Sequence, residues 1–218
     1  SIVELKKKVK EKKIEVNDKI KMGLKYHGII QVKIPRKEID SYNEILQLLI
    51  KTIDKNLNLI IAGSYRRCKE VSNDIDILIT HTEIKTNKDY SKIDTNYLFE
   101  TISLLKSKNI IIDDLTDTDN GTKYMGFCKL PRKKVRRIDI RFVPFEYYSA
   151  ALLYFTGSYE LNTQMRQIAK GLGFKLNEYG LFKQKEDDTF SDKPVKVKSE
   201  KDIFKKLKLD YLEPHERG

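Results

Sequence analysis

Apolar residues recur along this chain with two different periods, which predict an alternation of helices and short strands. Between Pro35 and Ile53 they stand three and four positions apart, so we expect an amphipathic helix that begins at the proline. The lysine-rich segment 1–21 has few apolar positions and predicts a mostly solvated helix. Further helical spacing covers residues 92–106, 144–154, 159–169 and 200–207.

Strand-like segments occupy the middle and the end of the chain. They cover residues 57–62, 74–80, 110–114, 122–130, 135–143, 174–177 and 180–183. Short turns at Asp119-Asn120-Gly121 and at 130–134 predict that the strands 122–130 and 135–143 form an antiparallel hairpin. The fold class is therefore α+β, an antiparallel-rich sheet with flanking helices, and a shift in composition near Gly157 indicates a subdomain boundary.

Two carboxylates stand at the start of the strand 74–80. Because strand side chains alternate, Asp74 and Asp76 point to one face while isoleucines occupy the other. Asp139 also faces away from two isoleucines in its strand, and it joins the pair if the two strands are neighbours. Three carboxylates on one face form an oxygen-only site suited to Mg²⁺ or Mn²⁺. The alternative is that the Asp-x-Asp pair marks a solvated strand edge.

A Gly63-Ser64 turn follows the strand 57–62. Glycine lets a phosphate approach the backbone closely, the N–H groups of the next helix attract anions, and Arg66 and Arg67 add positive charge. Alone, such a turn is an ordinary one. Placed before three aspartates, it indicates phosphoryl transfer with two metal ions.

Composition narrows the setting. The 43 lysines and arginines exceed the 32 acidic residues and give a net charge of +11, which is typical of proteins that contact a polyanion. Cys68 and Cys128 have neither disulfide nor zinc-site spacing, so a reducing intracellular compartment is expected. No apolar run is long enough to span a bilayer, and no homodimer signal is visible, so we expect a monomer without membrane contact.

Five strings, in order, resemble those of the family X DNA polymerases, the family of DNA polymerase beta within the nucleotidyltransferase superfamily. They are Gly63-Ser64-Tyr65-Arg66-Arg67, Asn73-Asp74-Ile75-Asp76, Arg136-Arg137-Ile138-Asp139-Ile140-Arg141, Tyr154-Phe155-Thr156-Gly157-Ser158 and Asn177-Glu178-Tyr179. The resemblance implies a partial DNA-gripping helical segment over 1–35, a nucleotidyltransferase-type palm over 36–156, and a small C-terminal α+β subdomain over 157–218 that selects the nucleotide.

The resemblance also implies roles for single residues. Asp74, Asp76 and Asp139 would be catalytic and would hold two Mg²⁺ ions, for which Mn²⁺ can substitute. The positions expected to bind nucleotide are Arg36, Gly63, Ser64, Arg67, Ser72, Asn73, Tyr154, Phe155, Gly157 and Asn162. The positions expected to face DNA are Lys123, Tyr124, Arg137, Arg166 and Tyr179. Arg141 and Glu178 would form a conformational switch that couples nucleotide fit to closure, the alternative being a surface ion pair.

The implied activity is template-directed addition of deoxynucleotides to a primer 3′-hydroxyl in gapped or primed DNA, as in short-gap filling during base excision repair. The compartment would be the nucleus, or the cytoplasm if the chain is viral. The alternatives are a template-independent terminal or RNA-tailing nucleotidyltransferase and an inactive basic DNA-binding scaffold. The short connection 130–135 favours templating, because terminal transferases of the family are expected to carry a longer loop there.

This chain departs from the family pattern at three positions. Base discrimination therefore follows less directly from the resemblance than catalysis does. The departures are Asn73, Tyr159 and Thr163, where the family often has glycine, aspartate and lysine. The chain also begins inside what resembles the DNA-gripping segment, so removal of 5′-deoxyribose phosphate is not expected if it is complete.

Overall fold

The computed structural model describes residues 1–29, 31–116 and 121–218, so the predicted turn residues Asp119 and Asn120 lie outside the described residues. The helices are α1 (Ile2–Lys10), α2 (Asp18–Tyr26), α3 (Arg36–Ile53), α4 (Gly63–Arg66), α5 (Asn87–Tyr90), α6 (Tyr97–Ser107), α7 (Tyr148–Thr156), α8 (Tyr159–Gly171) and α9 (Glu200–Lys206). The strands are β1 (Ile34–Pro35), β2 (Leu57–Ile61), β3 (Val71–Ser72), β4 (Ile75–His81), β5 (Ile111–Asp114), β6 (Lys123–Cys128), β7 (Arg136–Phe142), β8 (Phe174–Asn177) and β9 (Gly180–Lys183).

The predicted amphipathic helix is confirmed as α3, which begins directly after Pro35 and buries one face that includes Ile39, Tyr42 and Leu46. Helix α6 begins at Tyr97, five residues later than the spacing suggests, because the side chain of Asn96 caps it by accepting a hydrogen bond of 3.0 Å from the Phe99 N–H.

A five-stranded sheet with the strand order β2-β4-β7-β6-β5 forms the centre of the molecule. All of its neighbouring strands are antiparallel except β4 and β7, which are parallel, and β6 with β7 form the predicted hairpin. The isoleucines of β4 and β7 lie in the main hydrophobic core together with buried residues of α3 and α6. The α+β class with an antiparallel-rich sheet is therefore confirmed.

Helix α7 covers part of the opposite sheet face and contributes to a second core. Its residues Ala151 and Leu152 pack on Leu78, the third residue of the Asp74-Asp76-Leu78 stripe. Its residues Ala150 and Leu153 instead join a C-terminal core built from α8, β8, β9 and α9. The sheet face that carries the carboxylates is thus covered beyond Asp76, while Asp74 and Asp76 themselves stay partly exposed.

The segment before α3 contacts the sheet through Arg136 of β7 and through Tyr26. Arg136 donates a hydrogen bond of 2.9 Å to the Val32 carbonyl oxygen, and the Tyr26 ring stacks on Phe127 with a centroid distance of 3.9 Å. Arg136 also donates two hydrogen bonds of 2.8 Å to the buried carboxylate of Glu38 in α3. Among the described residues, none of the helices has the length and apolar content needed to cross a bilayer.

Gly126 in β6 provides a test of this packing, because the Tyr124 ring lies directly over it. A Cβ atom at position 126 would stand 2.6 Å from the Tyr124 ring and 2.8 Å from the Asp113 carbonyl oxygen. We expect Gly126→Ala to lower the free energy of unfolding by about 1–3 kcal/mol through overpacking, as measured by chemical denaturation. The control Gly171→Ala has open space around it and should leave stability unchanged or slightly higher.

Candidate active site

The parallel pairing of β4 with β7 places Asp76 directly beside Asp139. Asp74 immediately precedes β4 on the same face, and one carboxylate oxygen from each of the three residues lies within 4.8 Å of the other two. Asp139 was expected to join Asp74 and Asp76 if its strand lay next to theirs, and β7 does pair with β4. The cluster offers only oxygen donors at a spacing that suits a hard divalent cation.

The electrostatics of the cluster favour a bound cation. Burial, followed by the charges of Asp74 and Asp139, raises the pKa of Asp76 to about 7. Burial, followed by the charge of Asp139, also raises the pKa of Asp74. Arg137 offsets part of this repulsion, because its Nη2 donates hydrogen bonds of 2.8 and 3.0 Å to the two Asp139 oxygens.

The Gly63-Ser64 turn packs directly on these carboxylates. Gly63 has φ +56°, and a Cβ atom there would overlap the Asp76 carboxylate. The Ala62 N–H donates to the Asp76 carbonyl oxygen at 2.8 Å, and the Ser64 hydroxyl donates to the Ser72 hydroxyl at 2.7 Å. The turn and the aspartates are therefore parts of one site.

Arg36 and Arg67 both form hydrogen bonds at this turn. Arg36 donates to the Tyr65 carbonyl oxygen at 2.7 Å, with its guanidinium 4.3 Å from the centre of the Tyr65 ring. Arg67 donates to the Thr156 carbonyl oxygen at 2.6 Å. Asn73 is exposed and accepts a hydrogen bond of 2.5 Å from Lys33.

The end of α7 and the start of α8 form a second boundary of the site beside the turn, which we call the α7–α8 wall. The Asn162 side chain donates to the Tyr154 carbonyl oxygen at 2.7 Å, and the Arg166 guanidinium lies 5.6 Å from the centre of the Tyr154 ring. Gly157 has φ +72°, and a Cβ atom there would come within 3.1 Å of an Arg67 nitrogen.

Asp76, Asp139 and Phe155 line one cavity of about 200 Å³. Lys123 lines it, as do Thr116 and Met125, which the sequence did not single out. Met125 pairs with Asp139 across the β6–β7 hairpin, so only the strand register reveals that its side chain reaches this cavity.

The DNA-facing position expected for Tyr124 is wrong in this structure. Its side chain is 1% exposed, packs in the main core and donates its hydroxyl to Asp114 at 2.7 Å. The alternation of β6 explains the error, because Lys123 and Met125 occupy the site face and Tyr124 the core face.

Arg141 stands between the carboxylates and the C-terminal region. Its guanidinium lies 4.8 Å from the centre of the Phe155 ring, and it lines a second small cavity together with Glu178 and Tyr179. Within the described part of the chain it forms no ion pair with Asp76, Asp139 or Glu178. Tyr179 is 37% exposed and contacts the Tyr147 ring edge-on.

Comparisons with known proteins agree with this geometry. Residues 33–145 match the family model of the DNA polymerase beta palm, and residues 151–218 match that of the DNA polymerase beta thumb. The chain is 32% identical to DNA polymerase lambda of Arabidopsis thaliana over 212 residues, which cover 91% of this chain and 39% of that protein. It is 32% identical to DNA polymerase lambda of Rattus norvegicus over 206 residues, which cover 90% of this chain and 35% of that protein.

A third relative is named for a different activity, that of a nucleotidylexotransferase. The chain is 28% identical to DNA nucleotidylexotransferase of Xenopus laevis over 243 aligned residues, which cover 95% of this chain and 46% of that protein. The chain thus spans less than half the length of each of these three relatives.

The charge cluster predicts a conflict between stability and cation binding. At about pH 8, above the raised pKa of Asp76, its ionised form destabilises the fold, and this cost decreases as pH falls from that pKa toward the ordinary value of 3.8. We expect Asp76→Asn to raise the free energy of unfolding by roughly 1–3 kcal/mol in EDTA at that pH. The exposed Asp210→Asn is the control for the same chemical change.

Mg²⁺ should stabilise the parent chain but not Asp76→Asn. We expect it to raise the melting temperature of the parent chain and to leave that of Asp76→Asn nearly unchanged, because ligand binding to the folded state stabilises it. Equal stabilisation of both chains would contradict a cation site at these carboxylates.

Proposed function

The chain belongs to family X of the DNA polymerases, the family of DNA polymerase beta, and we propose that it adds deoxynucleotides to a primer 3′-hydroxyl under the direction of a template. The observation that carries this proposal is the convergence of Asp74, Asp76 and Asp139 beside the Gly63-Ser64 turn. We infer short-gap filling in DNA repair, base excision repair included, with gapped or primed DNA and deoxynucleoside triphosphates as substrates.

The three aspartates are proposed as catalytic ligands of Mg²⁺, with Mn²⁺ as a substitute, because oxygen donors and excess negative charge suit such ions. Two bound ions would lower the pKa of the attacking hydroxyl and neutralise triphosphate charge. The contribution of the chain is to hold Asp76 and Asp139 at adjacent positions of β4 and β7, with Asp74 at the entry to β4.

The triphosphate is proposed to bind along the turn that begins with Gly63. The hydroxyls of Ser64 and Ser72 lie 2.7 Å apart there, and Asn73, the next residue after Ser72, is proposed to contribute its backbone. Arg67 has a charged group next to the aspartates, although it donates to Thr156 here. Arg36, on the other side of the turn, is proposed to reach the terminal phosphate.

The sugar and base are proposed to bind against the α7–α8 wall. Tyr154, Phe155 and Gly157 bring backbone and rings close together there, which supports selection of deoxynucleotides by crowding at the 2′ position. Asn162 is proposed to contact the base edge, in line with its position one turn into α8.

The primer and template are proposed to lie across the open sheet face. Lys123 lines the cavity beside Asp139, and Arg166 extends from α8 over Tyr154. Arg137 is held by Asp139 here, so its proposed DNA contact requires that this ion pair opens. Tyr179 remains a candidate DNA contact. A net charge of +11 supports binding that weakens as salt concentration rises.

Closure is proposed to involve Arg141 and Glu178, which line the same small cavity without forming an ion pair in this structure. We further propose that residues 1–35 grip DNA, 36–156 form the catalytic palm and 157–218 select the nucleotide, with α7 shared between the last two through its contacts to both cores. We propose that the chain acts as a monomer in the nucleus, or in the cytoplasm if it is viral.

Template-independent addition is the second candidate, and the likeness to DNA nucleotidylexotransferase is the observation that favours it. The connection between β6 and β7 covers only residues 129–135, which leaves little chain to occupy a template path. This short connection supports templated synthesis instead.

Extension of a labelled primer on a one-nucleotide gap, with Mg²⁺ and each deoxynucleotide supplied separately, tests the proposal. Templated synthesis gives one product, with the complementary nucleotide only. Addition of all four nucleotides would support the terminal-transferase alternative, and binding without any product would support an inactive scaffold.

We expect Asp139→Ala to lower the rate of nucleotide addition by roughly 10³-fold, because it removes one of the proposed cation ligands. Affinity for gapped DNA, measured by fluorescence anisotropy, should stay within about twofold of the parent. A variant as active as its parent would refute the assignment.

We expect Arg36→Ala to raise the KM for the nucleotide by about tenfold while DNA affinity is maintained, since one charge-assisted contact to phosphate is lost. The exposed neighbour Lys37→Ala removes a cation without touching the turn and serves as the matched control. An unchanged nucleotide dependence in Arg36→Ala would exclude this residue from the triphosphate site.

A further inference from the structure

A buried charge cluster on the far side of α4 joins parts of the chain that are distant in sequence. Glu200, the first residue of α9, accepts hydrogen bonds of 2.9 and 2.7 Å from Arg66 and one of 2.7 Å from Arg217. We call these three residues the charge triad. Its members come from the catalytic turn, from α9 and from the last residues of the chain.

The environment of the charge triad is built to hold it. Arg217 is 2% exposed and Glu200 is 6% exposed. The remaining nitrogens of Arg217 donate to the Leu212 carbonyl oxygen at 3.0 Å and to the Tyr211 hydroxyl at 3.2 Å. A buried ion without a partner of opposite charge destabilises the fold. Glu200 is therefore needed as the counter-charge of both Arg66 and Arg217.

The charge triad also reaches both walls of the proposed nucleotide site. Arg66 donates to the hydroxyl of Thr156, a fully buried residue at the end of α7, at 2.7 Å. The next residue, Arg67, donates to the carbonyl oxygen of the same threonine. The Arg217 carbonyl oxygen accepts from the N–H of Ser158, whose side chain caps α8. One cluster thus fixes the turn, the end of α7 and the start of α8.

We propose that Glu200 and Arg217 are positioning residues for nucleotide binding, acting through Arg66 on the turn that carries Ser64 and Arg67. This inference rests on the proposed function, since it assigns the triphosphate to that turn. It extends the nucleotide site to two residues that lie outside its walls.

The test is Glu200→Gln, which keeps the side-chain shape but leaves the buried Arg217 and the partly buried Arg66 without a counter-charge. For correctly folded enzyme, counted by active-site titration, we expect the KM for the complementary nucleotide to rise about tenfold. The kcat should change by less than about threefold, and affinity for gapped DNA should remain within about twofold. Binding of the nucleotide with Mg²⁺ by calorimetry should weaken by the same factor as KM rises.

Glu38→Gln is a matched control, because Glu38 also accepts a bidentate pair of hydrogen bonds from a buried arginine, Arg136. It should lower stability to a similar degree without raising the KM per folded molecule. An equal rise in KM in Glu38→Gln would show general loosening of the fold and would overturn the proposal.

A second comparison asks whether Glu200 acts through Arg66. In an Arg66→Ala background, Glu200→Gln should have little further effect on nucleotide affinity, whereas additive losses would contradict the mechanism. If Glu200→Gln does not fold, Arg217→Lys keeps the charge and loses the planar fork, and we expect a smaller rise in KM from it. Parental KM values in Arg217→Lys would then count against the proposal.

The outcomes separate the two proposals. If the parent chain extends primers and binds nucleotide while Glu200→Gln matches it in both, the positioning role alone fails. If the parent binds nucleotide but extends no primer, the polymerase proposal fails and the calorimetric comparison still decides the role of Glu200. If the parent does neither, both proposals fall.

Discussion

Mutual repulsion among three carboxylates within 4.8 Å of one another is the constraint to which the neighbouring elements conform. The packed isoleucines of β4 and β7 on the opposite face keep the two strands together, so Asp76 and Asp139 cannot separate. Arg137 neutralises part of the charge, but burial, followed by the charges of Asp74 and Asp139, still raises the pKa of Asp76. Three adjacent carboxylates lower the stability of the fold. Their presence is therefore best explained by a cation that they bind.

Local periodicity is sufficient to predict most of the helices and strands. It also predicts two of the three clustered carboxylates, Asp74 and Asp76. The spacing of apolar residues in α3 predicts correctly which face of that helix is buried. In β4 the isoleucine face is buried as the alternation predicts, but the aspartate face is also buried from Leu78 onward, where α7 covers it. Alternation also places Asp74 and Asp76 on one face without any knowledge of the fold. The start of α6 was less accurate, because a capping side chain at Asn96 decided it.

Contacts between distant segments could not be predicted in the same way. That Asp139 joins the pair depends on β4 and β7 being adjacent and in register, a property of the whole sheet. The position of Tyr124 was misassigned by likeness to a family, although its phase relative to Lys123 and Met125 puts it in the core. No local pattern relates Arg66 to Glu200, which are 134 positions apart.

Helix α4 shows why such distant contacts are needed at the site. It has four residues and no side-chain cap, and a helix of this length has no stability of its own in water. Its geometry must be imposed from outside, by Gly63 lying against the Asp76 carboxylate at one end and by Arg66 held on Glu200 at the other. Negative charge thus sits on one side of the turn and a net positive cluster on the other. A triphosphate bound along the turn would lie between a cation site and these arginines, which is where its charge is best compensated.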